Sequence, residues 1–240
     1  MVNLLAAPRG LRVRARSCAE LLSRPDGRGS DALVAYGLLS AVDLFATARY
    51  HRGPQRAAKP LLMPALAVHV LRRRRHREEP YPAALLAGLA CATAGDTALL
   101  RDDRRPAFLA GMAAFLGTQL SYTAGMAKAG GARGLRARPA LALACAAGWA
   151  AANGALRKSL APELRAPVAV YSLALAAMGA TGLGVGGRTA VGATAFVGSD
   201  LLIALQAAGR RFPGQDVLVM AGYLLGQYLI ATSWNQPVPS

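Results

Sequence analysis

Apolar residues run in long blocks along the chain, and polar residues are concentrated in short gaps between them. Eight blocks approach membrane-spanning length: 32–50, 57–71, 82–100, 106–127, 139–156, 166–185, 189–208 and 216–234. About 20 apolar residues in a helix cross the hydrocarbon of a bilayer, so each block predicts a transmembrane helix, the second being short. The blocks are too long for strands and lack period-two alternation. Pro60, Pro82, Pro106, Pro139 and Pro167 stand at or near block entries. A first helical turn has no use for the missing N–H, so these prolines are expected to mark helix starts. The short connections predict that sequential helices pack as neighbours. The expected fold is all-α: a polytopic membrane bundle of eight transmembrane helices over 32–234, with a basic tail at 1–31 and a short tail at 235–240.

Composition agrees with the blocks. The 240 residues are 54% hydrophobic and 17% charged, with a mean hydropathy of +0.30; a soluble domain carries about 25% charge. Disorder and a disulfide scaffold are excluded, and Cys91 and Cys145 sit within apolar blocks as small hydrophobes. The net charge of +16 would suit nucleic acid if it covered one face. Instead the arginines come in bursts, such as Arg72 to Arg75, between apolar blocks, with few aromatics beside them to stack on bases. Loop arginines flanking membrane spans, in contact with anionic lipid, are the better account. The first 31 residues hold six arginines and no apolar core long enough for a signal peptide. They suit a tail on anionic headgroups, a start site upstream of the true protein being the alternative. Sorted by side, Lys and Arg number 16 with the N-terminus against 11 opposite, or 12 with Lys59. The excess predicts a cell-membrane protein with both termini cytoplasmic.

Gly182, Gly184 and Gly187 match G-x-G-x-x-G, but between two membrane helices they predict a turn and not a nucleotide site. Gly222 and Gly226 form G-x-x-x-G in the last block, which suits close helix packing within the chain or between copies.

An ionisable residue inside a span costs about 2.5–3.5 kcal/mol and marks a functional candidate facing the bundle interior. Asp43, Asp96 and Asp200 lie in spans one, three and seven, and Lys59 opens span two. Helical spacing puts Phe108, Gly111, Phe115, Gln119 and Tyr122 on one stripe of span four. Tyr223, Gln227, Ile230 and Trp234 form a stripe in span eight; Gly192, Phe196, Ser199, Asp200 and Ile203 share a face of span seven. At 1.5 Å per residue, Asp96 lies about 6 Å and Asp200 about 12 Å from the end of the bundle opposite the N-terminus. Lys59 enters from that end, so these three are expected to converge. Asp43 lies at similar depth with no second feature to mark it, and equally suits pairing with a neighbouring helix. His51, His69 and His76 have no metal-ligand spacing, and no metal or cofactor is expected.

Six short motifs, in order, resemble the YhhN-type lysoplasmalogenase family. They are Lys59-Pro60, Gly95-Asp96, Phe108-x-x-Gly111-x-x-x-Phe115, Pro167-Val168-x-x-Tyr171, Gly192-Ala193-x-x-Phe196-x-x-Ser199-Asp200 and Tyr223-x-x-x-Gln227-x-Leu229-Ile230. The resemblance covers about 32–234. One departure stands out: the family usually has histidine where this chain has Gln119, which hydrogen-bonds but carries no proton. The resemblance implies hydrolysis of the vinyl-ether bond of lysoplasmalogens to a fatty aldehyde and a glycerophospho headgroup. That chemistry needs a protonated carboxylic acid, which a low-dielectric surrounding favours, and a nearby anion to stabilise an oxocarbenium-like cation, as in glycosidase carboxylate pairs. Asp96 and Asp200 are expected to be the catalytic pair. Lys59, Gln119, Tyr122, Ser199, Tyr223 and Gln227 are expected to bind the lysophospholipid. The alternative is a non-enzymatic lipid-binding or transport protein that uses the same pocket to hold a headgroup.

Overall fold

A computed structural model of the protein describes residues 29–80, 82–101, 104–157 and 162–234; the tails, but for residues 29–31 of the first, lie outside them. All described regular structure is helical: α1 Ser30–Ala48, α2 Arg52–His76, α3 Ala83–Leu99, α4 Arg105–Met126, α5 Ala132–Ala137, α6 Pro139–Arg157, α7 Pro162–Val185, α8 Gly187–Ala207 and α9 Gln215–Ser233. Each of the eight apolar blocks coincides with one helix. Five helices, α1, α6, α7, α8 and α9, are long and apolar enough to cross a membrane, and α3 is a shorter apolar helix. α2 falls short through its composition, since Arg52, Arg56, Lys59 and Arg72 to Arg75 lower its hydropathy, and its packing suits that. Leu62, Met63, Ala65 and Leu66 are completely buried, so this helix faces protein more than lipid, and it carries arginines at both ends.

Two expectations about local structure are corrected. Pro82 caps α3, Pro106 sits in the first turn of α4 and Pro139 opens α6, as starts should. But Pro60 and Pro64 lie inside α2, and Pro167 lies inside α7. A proline there leaves the carbonyl four residues earlier without its amide, a loss that neighbouring helices make tolerable in membrane bundles. Lys59 therefore lies two turns inside α2 and does not open it. The second correction is α5, where the sequence suggested only a basic loop. α4 runs on through a π-turn, Ala127–Gly131, in which Gly130 takes φ 103°. A Cβ on Gly131 would lie 2.5 Å from the Thr181 carbonyl oxygen, so α7 passes against bare backbone here. Arg138 then donates to the carbonyls of Leu183 and Gly184, at 3.3 and 3.0 Å, satisfying groups that the end of α7 leaves open. The glycine triplet joins the end of α7 to the start of α8 by a turn, with Gly186 and Gly187 at positive φ.

Helices α1, α2, α3, α4, α7, α8 and α9 pack in succession, and α9 closes the ring against α1 and α2. α6 stands outside, resting on α5 and α7, with no buried residue among its own. Direction alternates around the ring except between α4 and α7, which run parallel and end side by side at Gly131 and Gly184. At the end nearer the N-terminus, His69 Nδ1 meets the Gly29 carbonyl at 2.8 Å and Thr189 meets Ser233 at 3.0 Å. Arg74 donates to the Trp234 carbonyl at 3.0 Å there, placing the end of α2 beside the end of α9. At the opposite, distal end, Gln206 Nε2 donates to Asp216 at 2.6 Å. Glycines set the closest approaches. A Cβ on Gly226 would sit 2.9 Å from the Gly192 carbonyl, and one on Gly192 would sit 3.0 Å from the Ile230 nitrogen. The G-x-x-x-G of α9 is thus used within the chain, against α8.

Candidate active site

Every helix of the ring carries a polar side chain between the middle of the bundle and its distal end, except that Gln119 and Gln227 lie about one turn past the middle. Asp43 comes from α1, Lys59 from α2, Asp96 from α3, Gln119 from α4, Tyr171 from α7, Asp200 from α8, and Tyr223 with Gln227 from α9. Rise along each helix puts the aspartates about 5–10 Å from the distal ends.

Two carboxylate–tyrosine pairs form the centre. The Tyr223 hydroxyl donates to Asp96 Oδ2 at 2.8 Å, and the Tyr171 hydroxyl donates to Asp200 Oδ2 at 2.8 Å. Both are hydrogen bonds to an acid that water would otherwise solvate, the stronger class of such contacts. Phe196, one turn before Asp200, packs edge-on against the Tyr223 ring with centroids 5.5 Å apart. Phe115 does the same from α4 at 5.9 Å; Gly95 makes room for it, since a Cβ there would lie 2.7 Å from the Phe115 ring. Tyr223 is thereby fixed on two sides while its hydroxyl holds Asp96.

The expected convergence divides into two neighbourhoods. Lys59 acts electrostatically on Asp96, and Asp43 joins them. Asp200 has its own surroundings, Tyr171 and Ser199. Of the expected binding residues, three have their hydroxyls engaged: Tyr122 donates to Gln227 Oε1 at 2.6 Å, Ser199 to the Phe196 carbonyl at 2.8 Å, and Tyr223 to Asp96. Two keep unused capacity. Gln119 is completely buried beside the Tyr171 hydroxyl, and neither of its amide atoms completes a well-formed hydrogen bond; Gln227 Nε2 is likewise unpaired. Tyr171 and Asp43 were not among the expected site residues. Tyr171 stands in the fourth family-like motif. Asp43 shares a helix face with Tyr36 and Ser40 at i−7 and i−3, and that polar stripe on an apolar helix was the available signal.

The fold and this centre define a class: a multi-pass helical membrane protein with two buried acid–tyrosine pairs in its interior. The chain belongs to the YhhN family, whose model matches residues 55–234. It is 34% identical to lysoplasmalogenase TMEM86B of Sus scrofa over 175 residues, 72% of this chain and 73% of the relative. It is 32% identical to lysoplasmalogenase TMEM86B of Homo sapiens over 160 residues, 66% of this chain and 67% of the relative. No solved structure matches the chain.

Proposed function

We propose that this protein is a lysoplasmalogenase, an integral-membrane hydrolase that cleaves the vinyl-ether bond of lysoplasmalogens. The observation that carries the reading is the pair of relatives named for that activity, together with two acid–tyrosine pairs inside the matched segment. Asp96 and Asp200 are the catalytic carboxylates, one as acid and one as anion. The acid's proton goes to the β carbon of the vinyl ether, the C=C π pair forming the new C–H bond. An oxocarbenium ion remains, held by the anionic carboxylate. The oxygen of a water adds to the cationic carbon and its proton passes to that carboxylate. The hemiacetal then collapses: its carbon–oxygen bond to glycerol breaks as that oxygen takes the proton the carboxylate received from water, and its hydroxyl gives a proton to the carboxylate that began as the acid while the C=O forms, restoring both groups. A fatty aldehyde and the glycerophospho headgroup leave, and no electron is gained or lost. The tyrosines orient the two acids, and Gln119 and Gln227 offer buried amide groups to the glycerol hydroxyl or the water.

In the same reading, all eight long helices span the membrane, with both termini cytoplasmic. The basic burst at the end of α2 then faces anionic lipid headgroups, while the site opens toward the outer leaflet. Asp96→Asn and Asp200→Asn test the chemistry in purified protein, because they keep size while removing proton transfer. Each is expected to lower vinyl-ether turnover about 10²- to 10⁴-fold with the folded, detergent-stable state retained. Turnover above about a tenth of wild type in either variant excludes the pair, and the lipid-binding reading then stands.

A further inference from the structure

Asp43 takes no part in that reaction, yet it is the one carboxylate of the site whose two oxygens both lack a hydrogen bond. It is also completely buried. Asp96 and Asp200 each hold a tyrosine hydroxyl. Buried polar groups are nearly always paired, and a bare one calls for an unseen partner. The charge of Lys59 reaches both Asp43 and Asp96 without an ion pair to either, so one cation serves two acids.

We propose that Asp43 receives the positively charged nitrogen of a zwitterionic lysolipid headgroup, with Lys59 beside it taking the phosphate. The assignment rests on the hydrolase reading above. Two features carry it. An anion and a cation on adjacent helices, α1 and α2, complement a headgroup whose ammonium and phosphate are separated by two carbons. Asp43 lies five residues before the end of α1, about 8 Å of helix, at a depth similar to that of Asp96 and Asp200, so a headgroup held there stays beside the reacting carboxylates. Asp43 lies outside the family-matched segment, residues 55–234, whereas Lys59, Asp96 and Asp200 lie within it.

Purified full-length protein in detergent micelles tests this with three substrates: alkenyl-lysophosphatidylethanolamine, alkenyl-lysophosphatidylcholine and alkenyl-lysophosphatidate, which lacks the amine. Wild type is expected to prefer the amine-bearing pair. In Asp43→Asn the preference, as a ratio of kcat/KM, should fall about 10- to 100-fold, the range for a lost charged hydrogen bond, and the loss should appear in KM. Asp43→Glu should keep most of the preference. A ratio within threefold of wild type in Asp43→Asn, or a fall in kcat common to all three substrates, overturns the proposal. Wild type inactive on all three overturns the hydrolase reading itself. Should Asp43→Asn fail to fold, inhibition of wild type by non-cleavable alkyl lysolipids decides. Equal inhibition with and without the amine overturns the assignment, and tenfold stronger inhibition with it supports the assignment.

Discussion

At the scale of single residues, the site depends on hydroxyl donors placed by packing. Tyr223→Phe keeps the ring between Phe115 and Phe196 and removes only the donor to Asp96. Thermal unfolding in detergent should show a loss of about 1.5–3 kcal/mol, and turnover should fall with it. Gln119 poses the opposite test, since its relatives are expected to carry histidine. If the two aspartates suffice for proton transfer, Gln119→His leaves turnover within a few-fold. A hundred-fold gain would instead assign the histidine a proton-carrying role. Helical spacing made the stripes of α4, α8 and α9 legible, because side chains three and four apart must share a face. Which stripe faces which was not legible. Helix depth brought Lys59 toward Asp96, but spacing says nothing of neighbours across the ring, so the pairing of Asp200 with Tyr171 and the approach of Asp43 to Asp96 emerged only from the fold.

At the scale of helices, glycine governs how close two backbones come. Gly226 and Gly148 are both glycines in apolar helices, yet they should respond oppositely to a larger side chain. Gly226 faces α8 with the Gly192 carbonyl 2.9 Å from where its Cβ would lie; Gly148 on α6 meets nothing within 4 Å. Gly226→Leu should therefore force α8 and α9 apart and cost about 3 kcal/mol or more, read as loss of the monodisperse peak in detergent. Gly148→Leu should change stability by about 0.5 kcal/mol or less. The positions of the long helices were readable from apolar blocks, since length and hydropathy act locally. The prolines inside α2 and α7 were misread for a physical reason: a proline tolerated by surrounding helices has the same sequence signature as one that begins a helix. α5 was missed because six residues rich in arginine carry no apolar period.

At the scale of the whole molecule, the fixed relative directions of the helices turn orientation into a single binary question. With both termini cytoplasmic, a reporter fused after Ser240 should be active only on the inner side, and one inserted within 209–215 only on the outer side. The reverse result would invert the orientation and move the site to the inner leaflet. The closure of the ring by α9 also bears on how the protein is made. Synthesis runs from α1 onward, so Asp96 enters the membrane more than a hundred residues before Tyr223. Until α9 inserts, Asp96 lacks its hydroxyl donor, Tyr122 lacks its glutamine, and the arginines ending α2 lack the carbonyls they later cap. A ribosome-bound intermediate therefore holds a half-built acid centre without its closing helix. Insertion of α9 and completion of the acid centre coincide, so the helices made before it carry an unfinished site.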